Sequence, residues 1–233
     1  THGTCVEGVC FDPREEVVAS GSTGGTIKVF DLASEKVSVS LAGHRSACLG
    51  VEFHTHGEVV ISGSRDSTVR LWDLRRKACI ATYRGHTADV THVLCTPDGR
   101  SIVSGDAAGV IKVWDVSTHK LLHQFSDHAG AVTALQCHPC EFVLASCSAD
   151  RTCKFWDLDE LSPLSSTPPD VKSVRCVAFS PDGEVALAAT QDLLKVWSWE
   201  QVRCHDVTDA GWGQLSDMLV VPGGGAGAES KEG

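Results

Sequence analysis

The sequence predicts an all-β fold, a β-propeller of about five blades with the start of another, and three observations carry that reading. The first is a period: Trp72, Trp114 and Trp156 stand 42 residues apart, and so do His44, His86 and His128. The second is the way each unit closes, because Trp-Asp ending a repeat of about 40–45 residues is the sequence sign of a four-stranded blade. The third is the pattern inside a unit. Short runs such as Val59-Val60-Ile61 and Val69-Arg70-Leu71-Trp72 alternate apolar and polar residues between turn formers, which is strand periodicity and not helix periodicity.

The units fall at about 1–41, 42–83, 84–125, 126–167 and 168–208, with a partial unit over 209–221 and a Gly-rich tail over 222–233 expected to be disordered. A twisted blade gains a buried polar staple when a His from the preceding turn, a Ser on the second strand, an Asp in the next hairpin and a Trp on the third strand hydrogen-bond in series. One Trp burying roughly 150–250 Å² contributes about 4–6 kcal/mol gross, against about 1 kcal/mol net for each hydrogen bond. The Trp therefore stabilises, and the polar groups mainly set register.

The first unit has Phe30 in place of Trp, Gly24 in place of Asp, and no Gly-His ahead of it. The second carries the whole set, His44, Ser62, Asp66 and Trp72. The third has His86, Ser104 and Trp114, but Ala108 where the Asp belongs, and is expected to be looser. The fourth, opening on Asp127-His128, is complete with His128, Ser146, Asp150 and Trp156. Ser162 to Asp170, SPLSSTPPD, reads as a surface loop. The fifth, from about Val174, keeps FSPDG and KVWSW, lacks the His, has Ala188 for the Ser, and places Trp197 only 41 residues after Trp156. The stretch after Trp199 supplies an outer strand and then the first strand of a further blade. Eroded units at the ends of an array are the usual case. Propellers hide their edges by closure, so an incomplete ring is expected, belonging to a longer domain; the opening Thr in place of Met agrees.

Composition narrows the function. No apolar run approaches the ~18 residues of a membrane span, and no signal peptide opens the chain. Eleven cysteines, an odd number, lie mostly on predicted strands (Cys10, Cys48, Cys79, Cys95, Cys137, Cys176); they read as reduced, buried thiols of an intracellular protein. Cys137-His138-Pro139-Cys140 has the C-x-x-C form, but no second pair accompanies it. A net charge of −10 disfavours nucleic acid and acidic membranes as partners.

Catalytic chemistry is not visible. Gly223 to Lys231 lacks the order of a phosphate loop, His54 and His56 read as a solvated pair at a turn, and neither G-x-S-x-G nor H-E-x-x-H occurs. The expectation is a protein-binding platform with no cofactor, no metal, no small-molecule substrate and no enzymatic activity.

These repeats resemble the WD-repeat family. The runs WDLRRKACIATYRGH (Trp72 to His86), DRTCKFWDLDEL (Asp150 to Leu161) and SWEQVRCHDVTDAGWGQLSDM (Ser198 to Met218) look like the propeller of the regulatory, non-catalytic subunit of katanin, over about Cys5 to Leu219. The last run is the telling one, because its Trp-Glu, Arg-Cys and Trp-Gly elements lie outside what the repeat demands. The resemblance implies a cytoplasmic targeting module that brings the katanin ATPase subunit, a microtubule-severing enzyme, to centrosomes and spindle poles, with microtubule or spindle-pole proteins as partners. It also implies that the ATPase is held by a C-terminal domain outside this sequence, and the tail from Pro222 departs from the family. Two alternatives stay open: a generic WD-repeat scaffold, and a substrate receptor of a cullin ubiquitin ligase, whose docking box Ile61 to Arg75 resembles.

One cluster of cations is the candidate partner contact. Arg45, Arg65 and Arg84 are expected on one rim of the second blade, and Arg75, Arg76 and Lys77 on the opposite rim. The second trio belongs to the WDLRRK run and is favoured. Arginine grips carboxylates with paired hydrogen bonds, so the partner surface would be acidic.

Overall fold

The computed structural model describes residues 2–212 together with 215, 218 and 220. Among the described residues twenty strands form five antiparallel sheets of four, each in chain order from the inner strand outwards. Blade one is β1 (Val6–Phe11), β2 (Val17–Ser22), β3 (Thr26–Asp31) and β4 (Lys36–Ala42). Blade two is β5 (Cys48–Phe53), β6 (Val59–Ser64), β7 (Thr68–Asp73) and β8 (Ala78–Arg84). Blade three is β9 (Val90–Cys95), β10 (Ser101–Asp106), β11 (Ile111–Asp115) and β12 (Leu121–Phe125). Blade four is β13 (Val132–Cys137), β14 (Val143–Ser148), β15 (Cys153–Asp157) and β16 (Ser162–Ser166). Blade five is β17 (Cys176–Phe179), β18 (Ala186–Ala189), β19 (Leu193–Ser198) and β20 (Arg203–Asp209). The expected opening strand over 209–221 lies partly outside the described residues, of which those after Asp209 carry no strand, and the tail 222–233 lies wholly outside them.

The core sits between blades and not within them. Ala19, Ile27 and Val29 of blade one meet Val51, Phe53, Val60 and Trp72 of blade two; Ile61, Val69 and Leu71 of blade two meet Val90, Val93, Ile102 and Trp114 of blade three. Each Trp thus faces the blade before its own. Second strands are covered on both sides, which is why β6 and β14 read VVISGS and VLASCS, nearly all buried. Glycine is needed there for close approach: a Cβ on Gly63 would sit 2.7 Å from the Val90 side chain, and one on Gly105 2.6 Å from Val132. The five inner strands line a central cavity of about 500 Å³.

The end blades differ. The face of blade one turned away from blade two exposes Val9 and Phe11, each 58% accessible, and no blade covers it among the described residues.

Two expectations need correcting. Ser162 to Asp170 is not all loop, because Ser162–Ser166 forms β16, pairing with β15. Pro163 is tolerated because β16 is the outermost strand and the register shifts beside it, opposite Trp156. Nor does the first unit lack its histidine. His2 stands 42 residues before His44, its Nε2 lies 2.7 Å from Ser20 Oγ, and its ring meets Phe30 edge-on at 6.2 Å.

Candidate interaction surface

The strand register brings each polar set together. Ser62 lies on β6 opposite Arg70, two residues before Trp72 on β7, so the indole reaches across and donates from Nε1 to Ser62 Oγ at 2.8 Å. Ser62 Oγ in turn lies 2.7 Å from His44 Nε2, and His44 Nδ1 lies 3.0 Å from Asp66 Oδ2. Blade four repeats the chain at 2.8 Å for all three contacts through Trp156, Ser146, His128 and Asp150. The donors run one way: indole N–H to serine oxygen, serine O–H to imidazole Nε2, imidazole Nδ1–H to carboxylate. That order requires a neutral imidazole. Burial accordingly lowers the histidine pKa at His44 and His128, against the opposing pull of Asp66 and Asp150.

The aspartates stay ionised although burial opposes it. Hydrogen bonds from the Thr152 hydroxyl, His128 and the Ala129 amide hold Asp150 down to about 2, and the Thr68 hydroxyl, the Arg45 amide and His44 hold Asp66 below the usual carboxylate range.

Blade three corrects the expectation of a missing partner. Ala108 is indeed at the hairpin position, but Asp106, the last residue of β10, lies 2.7 Å from His86 Nδ1 through Oδ2. His86 Nε2 to Ser104 is 2.7 Å and Trp114 Nε1 to Ser104 is 2.8 Å. The Oδ1 atom of Asp106 accepts the Ala108 and Val110 amides at 3.0 and 2.9 Å. The network is complete, with its carboxylate supplied from two residues earlier, so the ground for expecting a looser blade is gone.

Blade five replaces the network outright. Ala188 pairs with Lys195 where Ser146 pairs with Lys154, and Asp170, in the place of the His, meets Lys195 Nζ at 2.7 Å. The missing residue is in the β18–β19 hairpin.

A second column of residues carries no signal in the Trp-Asp pattern. Asp12, His54, Thr96, His138 and Ser180 recur at 42-residue spacing just after each inner strand, and each caps the hairpin that follows. His54 is not a solvated histidine; it is 8% exposed, its Nδ1 accepts the His56 amide at 3.2 Å, and its Nε2 donates to Gly99 O of blade three at 2.9 Å. His138 does the same toward Gly183 O of blade five at 2.9 Å. A Cβ on Gly183, whose φ is +78°, would lie 2.3 Å from His138 Nε2, so glycine is required there. The 42-residue spacing of His54, Thr96 and His138 was the available sign.

The candidate cations divide between two ends of blade two. Arg45 and Arg65 belong to loops joined by Arg65 N to Ala47 O at 2.9 Å, and Arg84 ends β8 opposite Thr68 at the same end. Arg75, Arg76 and Lys77 lie in the β7–β8 turn, held to the other end by Leu74 N to Glu58 O at 3.0 Å. Arg65 approaches Asp89 at 3.7 Å, Arg76 approaches Asp73 at 3.6 Å, and Arg75 pairs with Glu58. Arg75 and Arg76 remain three-quarters exposed, 75% and 77%.

Among the described residues no cluster of three or more His, Cys, Asp or Glu side chains is arranged to hold a metal ion. No helix of the described residues is long and apolar enough to cross a membrane.

Five stacked four-stranded sheets, three of them locked by a Trp-Ser-His-Asp series, define a WD-repeat propeller. The family described as "WD domain, G-beta repeat" matches residues 1–31, 35–73, 77–115, 119–157 and 162–198, and the chain belongs to that family. Its relatives are more particular. It is 50% identical over 54 residues to a katanin p80 WD40 repeat-containing subunit B1 homolog of Arabidopsis thaliana, which covers 23% of this chain and 6% of that protein. It is 38% identical over 47 residues to the katanin p80 WD40 repeat-containing subunit B1 of Xenopus tropicalis, covering 20% of this chain and 7% of that protein. A second Arabidopsis thaliana homolog is 46% identical over 42 residues, covering 18% of this chain and 4% of that protein. The chain is thus a WD-repeat protein with stretches similar to katanin regulatory subunits, and the matched stretches are a small fraction of those relatives' length.

Proposed function

We propose that this propeller is a non-catalytic targeting module that guides a katanin-type severing ATPase to microtubules at centrosomes and spindle poles. The observation that carries the reading is the 50% identity over 54 residues with a katanin p80 subunit homolog, and the scaffold character of the fold supports it. The chain itself hydrolyses no ATP and severs nothing; purified chain added to microtubules with ATP leaves them whole, and breakage by a clean preparation would overturn this. The partner docks on the Arg75-Arg76-Lys77 rim through an acidic surface. Both arginines keep most of their surface in water while held in orientation by Glu58 and Asp73. Because this contact is exposed, it weakens as salt rises.

The test is recovery of the tagged chain from dividing cells, probed for the katanin ATPase subunit and for a cullin adaptor. The reading expects microtubule or spindle-pole proteins, and the ATPase once the C-terminal domain that the resemblance implies is joined to the chain, with spindle-pole localisation of a complete propeller lost when Arg75, Arg76 and Lys77 are all changed to Glu. Recovery of the cullin adaptor without the ATPase replaces this function with the ligase one. Unchanged localisation of a folded triple variant removes this rim and leaves Arg45, Arg65 and Arg84 on the other.

A further inference from the structure

We propose that Cys147 and Cys153 form a reversible oxidation site, two facing thiols that a peroxide closes into a cross-strand disulfide between β14 and β15. The repeat itself is the control. At the equivalent rungs the other blades pair Gly21 with Ile27, Gly63 with Val69, Gly105 with Ile111, and Ala189 with Leu194. Only blade four has cysteine on both strands, Cys147 opposite Cys153.

The backbone geometry suits a bridge. Ser148 N donates to Thr152 O at 3.2 Å, which makes the next rung outwards the hydrogen-bonded one. The Cys153 amide turns away from β14 to Thr167 Oγ1 at 2.9 Å. Cys147 and Cys153 therefore form a non-hydrogen-bonded pair, a class in which Cα atoms lie about 4.5 Å apart, just inside the roughly 4.4–6.8 Å that a disulfide spans. The two Sγ atoms are already 2.7 Å apart.

Access is gated by the end blade. Cys147 and Cys153 are 0% and 1% exposed, under a cover of Val174, Val177, Ala188 and Trp197 from blade five. Burial also pushes the Cys147 thiol up, keeping it protonated and unreactive while that cover is in place. Blade five lacks the Trp-Ser-His-Asp series and has no following blade among the described residues, so it opens before blade four does. Once it opens, one cysteine thiolate attacks a peroxide oxygen, the O–O bond breaks, and a sulfenic acid and one water result. The second thiol then attacks the sulfenic sulfur and displaces its hydroxyl as a second water. Two thiols lose two electrons and two protons in all, and one hydrogen peroxide becomes two waters. A dithiol reductant reverses the bond.

Arg151 lies between the two cysteines, which makes the test direct. The folded chain is treated with hydrogen peroxide, remaining thiols are alkylated, and trypsin cuts after Arg151. The expected product is the peptide Thr152-Cys153-Lys154 linked to the one carrying Cys147, released by dithiothreitol and absent in Cys153→Ser. Trp197→Ala, which loosens the cover, raises the linking rate several-fold. The proposal fails if peroxide that oxidises the exposed Cys5, Cys140 and Cys204 leaves no such linked peptide. It fails equally if Cys147 is linked to Cys176 instead, and an unchanged rate in Trp197→Ala overturns the gating by blade five.

Discussion

Blade three lacks the hairpin aspartate that blades two and four carry as Asp66 and Asp150, whereas blade five has Asp192 in its hairpin, paired with Lys172, and lacks the histidine and the serine. In blade three the loss is repaired: Asp106 delivers its carboxylate to His86 at 2.7 Å, from a position where blades two and four have Ser64 and Ser148. In blade five there is no repair in kind. Asp170 and Lys195 form an ion pair, Trp197 has no serine to receive its indole N–H, and no further blade follows it among the described residues, although Ala178 and Ala189 on its far side are buried. The comparison teaches that the repeat selects an atom at a place and not a residue at a position. Two covering neighbours, together with a closed polar series, separate the middle of the array from its ends.

The strongest way to break that comparison is to remove the indoles. Trp72→Ala or Trp156→Ala should cost about 3–5 kcal/mol, because each side chain is fully buried between two blades. Phe30→Ala, on the open face of blade one, should cost clearly less. Urea denaturation checks this, and equal losses would contradict the distinction.

A finer test is the carboxylate. Asp106→Ala leaves His86 Nδ1–H without its acceptor, so it should destabilise by about 1–3 kcal/mol, as much as Asp150→Ala does in blade four. A silent Asp106→Ala would show that blade three is held by its Trp alone.

Acid provides a third. His44 and His128 bind protons less readily in the fold than in the unfolded chain, where the value is about 6.5. The unfolded state therefore takes up more protons as pH falls, and stability is lost progressively below about pH 6.5. Asp66 and Asp150 add a further loss below about pH 4, as the pH falls toward their lowered folded values. The urea midpoint should be level from pH 8 to 7 and drop by pH 5, and His44→Asn with His128→Asn should flatten the upper part of that drop. The smallest expected effect is that of Arg75→Glu, Arg76→Glu and Lys77→Glu on stability. Exposed substitutions of this kind each stay within about 0.5 kcal/mol, which is what makes the triple variant usable as a binding probe.

Much of this was legible in the sequence because a strict 42-residue spacing converts directly into register. Once Trp72 and His44 are aligned with Trp156 and His128, the strands and the polar series follow. Asp106 escapes the pattern because counting in 42s lands on Ala108, and side-chain reach does not obey the count. The sequence makes His54 look solvated because a histidine at a turn usually is. Its burial comes from the next blade, through Gly99 O, a contact between units that the pattern within one unit does not encode. The strand in Ser162–Ser166 was hidden by Pro163, since a sequence does not say which strand of a sheet is outermost. The partner-binding rim is the least legible of all, because surface charge answers to solubility as readily as to binding.

The most direct test of the central claim is amide hydrogen exchange followed strand by strand in the native chain. The account predicts that β6, β7, β10, β11, β14 and β15 exchange last and together, as one cooperative unit, with β18 and β19 exchanging at least about tenfold faster through separate opening of blade five. Protection of β18 and β19 equal to that of β14 and β15, or β10 and β11 exchanging ahead of both their neighbours, would contradict it.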